Sequence, residues 1–274
     1  MEKMKTYGGR IVLYITLLLV AIGVMAAMKR CRYTAITTVS AEKPSQGDTI
    51  DVAIEYAPLS IYTYDDTLGG FNYDLLRMIA ANHGAAVKFH PIVALGKALD
   101  GMEKGYYDIV VAAMPITAEN RERYRFSEPV YLDRQVLVQL KDSTGECRIK
   151  SQLDLAGDTV WVVERSPIAD RVSNLAREIG DTIYTMFEHQ YGAEQLFMMT
   201  ATGEIKQAVI NERIARELAR DYPDIDISTN ISFTQFQSWV MDKNETVLGD
   251  SIDSWLRATK ESDAYRELER RYFK

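Results

Sequence analysis

Cysteine, histidine and concentrated positive charge are what this 274-residue chain has least of. Its two cysteines, Cys31 and Cys147, stand far apart and cannot make a disulfide framework. Three histidines, His83, His90 and His189, show no metal-ligand spacing, so no zinc site and no cofactor is expected. Lys and Arg number 32 against 39 Asp and Glu, for a formal charge of −7, and no Lys/Arg-rich block occurs. The electrostatic footprint of a nucleic-acid binder is missing. No Ser/His/Asp, Cys/His or metal constellation and no internal repeat is evident. Apolar residues at 47% and charged residues at 26% fit an ordinary globular chain with length for a sizeable core.

One long apolar run is present. Residues 11–28, IVLYITLLLVAIGVMAAM, carry no charge and just suffice to span a bilayer. Lys3, Lys5 and Arg10 precede the run, and Lys29, Arg30 and Arg32 follow it, so the charge rule sets orientation only weakly. The run reads as an uncleaved N-terminal anchor. A cleaved signal, permitted by the small residues Ala26 and Ala27, is the other reading. Either way the remainder is expected on the export side: a single-pass inner-membrane protein with its bulk in the periplasm, or a periplasmic one.

From Ile50 onward, strands and helices alternate. IDVAIEY (50–56), AVKFHPI (86–92) and YDIVVAAM (107–114) read as strands. Between them, Phe71, Leu75, Met78 and Ile79 recur at helical spacing up to Gly84, and a short helix over 95–105 ends at Gly105. After a strand at 135–141, a second alternation runs through strands at 159–164, 182–187, 205–211 and 225–230. Its helices cover about 168–179, opened by Ser166 as cap and Pro167 at the first position, then 192–203 and 212–221. A strand at 237–243 and helices at 246–259 and 262–273 close the chain. The pattern predicts an α/β protein of two open units, with helices covering parallel sheets. Such units bind ligands in the crevice at the carboxyl ends of their strands.

The motifs GGFNYDLL, GYYDIVV, Thr117 and FSEPVY, in this order, resemble the family-3 extracellular solute-binding proteins. The matching residues are Gly70, Phe71, Asn72, Asp74 and Leu75, then Gly105 and Asp108, then Thr117, Phe126, Ser127 and Pro129, with a looser match at Leu153–Gly157. The resemblance implies the two-lobed type II periplasmic-binding-protein fold with a central cleft. Composition and charge read residues 1–10 as a cytoplasmic N-terminus, 11–28 as anchor or signal and 29–48 as a linker. Lobe 1 then covers 49–134 and 236–274, lobe 2 covers 135–235, and hinges fall near 132–136 and 231–237. GEIKQAVINERIARE, YPDIDISTNISF and YRELERRYF look like the substrate-binding-like domain of membrane-bound lytic transglycosylase F. In that family a lysozyme-like catalytic domain follows; here the chain ends at Lys274, so no lytic activity is expected of it.

Amino-acid binders of this family carry an arginine three residues after the threonine, which pairs with the ligand's carboxylate. The resemblance puts Asn120 there, with Arg121 one position late, a rotation of about 100° on a helical turn. Two readings stay open: Arg121, Arg123 and Arg125 form a solvated turn, or a register slip brings Arg121 into the cleft. The second-lobe carboxylate that takes the ligand's ammonium falls on Asn211, beside Glu212. Two neutral amides suit a ligand other than a free α-amino acid, a peptide or muropeptide among the candidates. Tyr56, Ser60, Tyr62, Asn72, Met114, Thr117 and Ser166 complete the expected lining.

Three functions compete: a tethered solute-binding or sensing protein working with a membrane transporter; an enzyme, either a murein-lytic protein acting with a separate catalytic subunit (or its non-catalytic homologue) or a lyase; and a scaffold for a protein partner. If residues 11–28 form an uncleaved span, the protein stays in the membrane fraction through carbonate and high-salt washes. A mature N-terminus near Met28 in the soluble fraction would remove the anchor from this picture.

Overall fold

The computed structural model describes residues 49–65 and 67–273. The apolar run at 11–28 and the linker at 29–48 lie outside them. Among the described residues no helix is long and apolar enough to cross a membrane.

Thirteen strands and eight helices alternate along the described chain. The first unit contains β1 (Thr49–Glu55), the hairpin β2 (Tyr62–Tyr64) and β3 (Thr67–Gly69), α1 (Phe71–His83), β4 (Ala86–Ile92) and α2 (Leu95–Glu103). It continues with β5 (Ile109–Pro115), α3 (Ala118–Arg123), β6 (Tyr124–Phe126) and β7 (Tyr131–Asp133). The chain then crosses to a second unit: β8 (Gln135–Leu140), β9 (Thr159–Val163), α4 (Pro167–Ile179), β10 (Tyr184–Glu188), α5 (Ala193–Ala201), β11 (Gln207–Asn211), α6 (Glu212–Ala219) and β12 (Ile225–Asp226). It returns through β13 (Gln235–Asp242) and ends in α7 (Val247–Lys260) and α8 (Asp263–Tyr272).

The first sheet has the order β4-β1-β5-β13-β6, with β7 also paired to β13. β1 runs parallel to β4 and β5, whereas β13 is antiparallel to β5. The second sheet has the order β10-β9-β11-β8-β12 and is likewise mixed, so the expected parallel sheets are corrected: β8 and β13, the strands that follow the crossings, run antiparallel to their neighbours. Both sheets fall within one compact unit.

The central strands are buried on both faces, which is why they read as unbroken apolar runs. On one face of the first sheet, Phe71, Leu75, Leu76 and Ile79 of α1 pack with Val52, Ile54, Trp239, Leu256 and Leu268. On the other, Leu95, Ala98, Leu99 and Met102 of α2 cover Ala53 and Val110. The second sheet is covered by Ile168, Val172 and Leu175 of α4 on one side and by Leu196 and Phe197 of α5 on the other.

The motif residues hold this frame by specific bonds. Asp108 Oδ2 accepts from the Asp51 amide at 2.7 Å and sets β5 beside β1. Gly70 has φ +133°, and a Cβ there would stand 2.3 Å from the Ser60 carbonyl, so only glycine admits the chain into α1. Ser127 pairs its backbone with Trp239, and its hydroxyl accepts from the Trp239 amide at 3.0 Å, tying the loop after β6 to β13.

Three elements escape the periodicity argument: the β2–β3 hairpin, α3 and the short pair β6 and β7. The latter two form because β13 returns antiparallel and offers them an edge, a long-range event invisible to local pattern. Ser166 stands at the N-cap of α4 with Pro167 after it, but its hydroxyl donates to Val163 O at 2.6 Å and accepts nothing from the helix. The expected cap is therefore corrected to a turn-closing bond that leaves the first amides of α4 without a side-chain acceptor.

Asn72 is buried in the first core. Its Nδ2 donates to Ser60 Oγ at 3.2 Å, and its Oδ1 accepts from Trp239 Nε1 at 3.0 Å. Asn72→Ala leaves the indole N–H of a fully buried tryptophan unpaired and opens a void. The expected loss is about 2–4 kcal/mol, read from the urea midpoint. Ser60→Ala, which spares the indole bond, costs about 1 kcal/mol.

Candidate functional site

The carboxyl ends of β1 and β5 face those of β9 and β11, and the two lobes meet there. Ala57, just past β1, packs into the second-lobe core with Val163 and Ala193. Gly192, at the start of α5, comes so near β1 that a Cβ on it would lie 3.6 Å from Glu55 Oε1 and 3.4 Å from Val93 O. Arg165, in the left-handed region at φ 56°, reaches from the second lobe to the first. Its Nη1 donates to Asp100 Oδ1 at 2.5 Å and to Gly96 O at 3.2 Å. Asp100 is held below the usual carboxylate range by this arginine.

Two cavities open between the lobes on the α4 side. One, of about 170 Å³, is bounded by Met114, Asn120, Tyr124, Arg165, Ser166 and Pro167. The other, of about 300 Å³, lies among Pro115, Thr117, Glu119, Gln135, Pro167 and Arg171. Met114, Thr117, Asn120 and Ser166, all expected from the sequence, thus come together here. Thr117 caps α3 by accepting from the Asn120 amide at 3.1 Å. Asn120 is buried, and its Nδ2 donates to Pro115 O at 3.4 Å. Arg121 goes elsewhere: it lines an outer groove of the first lobe with Phe126, Ser127 and Lys243. Arg125 is bonded within the first lobe to Asp250 at 2.7 Å and Asp253 at 3.3 Å.

The remaining expected residues divide. Asn211, at the end of β11, is buried opposite Gln135, and its Nδ2 has no hydrogen-bond partner. Tyr56 follows β1 and is 41% exposed. Tyr62 lies on the β2–β3 hairpin, its ring against Gly69. Ser60 and Asn72 spend their polar atoms on each other and on Trp239, inside the first core.

Two carboxylates near the lobe junction, outside the two cavities, were not among the expected residues. Glu55 ends β1 with some solvent contact, and desolvation pushes its pKa up to about 7, with the Ala113 amide offsetting part of the effect. Asp133, on the crossover, is 3% exposed, and burial lifts it to about 6 against the pull of the Arg134 and Arg213 amides. Between them, Tyr131 is pushed far up by burial, then by Asp133 and Glu55. A signal for Glu55 existed: it is a carboxylate at the carboxyl end of an otherwise apolar strand. Among the described residues, no group of three or more His, Cys, Asp or Glu is placed to hold a metal ion.

The family model for bacterial extracellular solute-binding proteins, family 3, matches residues 49–274. The chain belongs to family 3. It is also 26% identical over 234 residues to a membrane-bound lytic murein transglycosylase F of Aeromonas hydrophila, covering 85% of this chain and 46% of that protein. It is 29% identical over 233 residues to the protein of that name from Desulfosudis oleivorans, covering 84% of this chain and 50% of the other. The chain thus spans about half the length of the curated relatives it matches.

Among solved structures, an ancestral arginine-binding protein bound to arginine superposes with a TM-score of 0.72 at 24% identity, covering 83% of this chain and 99% of that one. A putative L-cystine ABC transporter protein from Listeria monocytogenes gives 0.71 at 20% identity, covering 82% and 96%. These likenesses establish the two-lobed type II periplasmic-binding-protein fold.

The raised carboxyls of this family-3 cleft carry a pH signature. Glu55 and Asp133 hold protons in the folded state at pH values where the unfolded chain has released them, so stability falls as pH rises from about 4 to about 7. The expected loss between pH 4.5 and 7.5 is on the order of 2–4 kcal/mol. It is read from melting temperatures across that range. Glu55→Gln and Asp133→Asn each flatten the curve; an unchanged slope in both would remove these groups as its source.

Proposed function

We propose that this family-3 protein is an export-side solute-binding or ligand-sensing protein whose two lobes close over a small ligand other than a standard free amino acid. The apolar run at 11–28 supports a membrane tether. The likeness to amino-acid-binding structures supports a small organic solute.

The observation that carries the ligand reading is a pair of amides. Where the family resemblance expects an arginine and a carboxylate, the chain has Asn120 and Asn211. Asn120 directs its Nδ2 to Pro115 O, and Arg121 lines the outer groove. A free amino acid brings a carboxylate and an ammonium, and each loses solvation on entering the cleft. Two neutral partners replace two charge-assisted ones, each worth about 1.5–3 kcal/mol, so affinity drops by on the order of 10²–10⁴.

A second reading is favoured by the similarity to lytic transglycosylases over half their length: a homologue or partner of a murein lytic enzyme, with muropeptides or peptides as ligands.

A thermal-shift screen of amino acids, dipeptides, muropeptides and small amines separates the possibilities. No shift is expected from the twenty amino acids at millimolar concentration, and one from another class. Micromolar binding of a free amino acid, lost on Arg121→Ala, would place the arginine in the cleft and overturn the reading.

A further inference from the structure

We propose that a cavity behind the chain crossings, apart from the cleft, binds a carboxylate that carries an apolar body, with Arg213 as its cationic centre. The solute-binding reading does not depend on this site.

The cavity has a volume of about 420 Å³, within the range of roughly 300–1,000 Å³ that small-molecule sites occupy. It shares no lining residue with the two cavities on the α4 side. Leu59, Tyr272 and Phe273 wall it from the first unit, and α6 walls it from the second. Asp133, Arg134 and Thr234 border it where the chain crosses. An occupant therefore touches both units and the segments that join them.

Charge on this lining does not balance. Four arginines, Arg134, Arg213, Arg216 and Arg220, stand against three carboxyls, Asp133, Glu212 and Glu217. Arg134 forms a two-pronged pair with Glu212, both bonds at 2.8 Å, and Arg216 joins the same carboxylate at 2.6 Å. Arg220 bonds Glu217 at 2.7 Å. Asp133 is engaged by the fold: its Oδ1 accepts from the Arg134 amide at 2.9 Å and the Arg213 amide at 3.3 Å, and its Oδ2 is buried. The Arg213 charge acts on Asp133 through space, but Arg213 forms no ion pair with it or with any other carboxylate among the described residues. Arg213, Arg216 and Arg220 also share one face of α6 and its C-terminal cap, at spacings of three and four residues, where like charges repel.

Arg213 is already fixed in place. Its Nε donates to Leu132 O at 2.7 Å, and its guanidinium lies 4.0 Å over the Phe273 ring. One bond and one stacked face hold the group, while its two terminal amino groups have no acceptor among the described residues. Those two groups form a fork that takes a carboxylate bidentately, which a lysine ammonium does not reproduce. The side chain is half-buried, so a pair formed there is less screened than one on the open surface. Beside it, Leu132 is 45% exposed, and Leu59 and Phe273 add apolar wall. A cation without a partner next to apolar walls fits an anion with a hydrocarbon part better than a bare inorganic one.

The test titrates hydrocinnamate into the full chain, read by calorimetry and by ligand-observed NMR, with phenylpropanol and phenylpropylamine as neutral and cationic controls. Hydrocinnamate is expected to bind at millimolar concentration, and each control at least about 10-fold more weakly. Arg213→Gln removes charge and fork and is expected to weaken hydrocinnamate by about 10-fold or more. Arg213→Lys keeps the charge, loses the fork and is expected to weaken it less. Arg121→Ala, in the outer groove, is expected to leave binding unchanged. Every variant is checked for an intact melting transition, and Arg213→Lys decides if Arg213→Gln does not fold. Equal hydrocinnamate affinity in wild type and the folded Arg213 variants overturns the assignment, and so does binding lost on Arg121→Ala. Wild type that ignores hydrocinnamate, or binds the alcohol or the amine as tightly, overturns it as well.

Discussion

The structure turns on two adjacent chain crossings between its sheets. One runs from Asp133 to Gln135, the other through Ile231 and Ser232 to Gln235. They are bonded to each other: the Gln135 amide donates to Ser232 Oγ at 2.9 Å, and the Ile231 amide to Gln135 O at 2.8 Å. Because both segments leave one sheet and join the other, any relative movement of the lobes must be absorbed here. The same crossings put polar side chains at the floor of the cleft. Among the residues that join the lobes, Asp133, Gln135 and Ser232 are themselves buried.

At the far side of the cleft Arg165 links the lobes. Arg165 meets Asp100 and Gly96 O, and its left-handed backbone aims it across the gap. The pair is substantially exposed, with side-chain exposures of 36% and 44%, so its own contribution is at most about 1 kcal/mol. A contact of that size can orient closure without holding the lobes shut against solvent. Ala57 and Gly192 also lie at the junction. Small residues there let the β1–α1 loop and the start of α5 approach within van der Waals distance.

Most of the frame was legible in the sequence, because its signals are local. Apolar runs marked β1, β5 and β9, and glycines at 84 and 180 ended α1 and α4 in left-handed turns. What local pattern could not reach were elements made by return of the chain. β6 and β7 are three residues each and exist as strands only because β13 comes back beside them. Site residues divided along the same line. Asn120, Thr117, Met114 and Ser166 lie at strand ends and helix starts, where topology alone predicts a crevice. Ser60 and Asn72 also follow such positions, but Trp239, distant in sequence, claims their hydrogen bonds. Asp133 went unread because its burial depends on the crossing, and a lone Asp at the end of a three-residue strand carries no periodic signal.

A clamp for a free amino acid sets a cation on one lobe against an anion on the other, so each neutralises one end of the ligand. In this chain both those positions are amides, yet buried charge has not been removed from the region. Two carboxylates sit at the end of β1 and on the crossover, with their pKa values lifted by desolvation. A protein free to minimise its own folding energy would replace them with neutral residues, since unpaired buried charge lowers stability. Part of that cost is met locally: the Ala113 amide offsets it at Glu55, and the Arg134 and Arg213 amides, the Arg213 charge and Asn211 offset it at Asp133. The buried carboxyls are thus accounted for by groups of the fold itself, and the two asparagines stand as a separate feature: the positions that the family resemblance assigns to the charged clamp carry neutral amides.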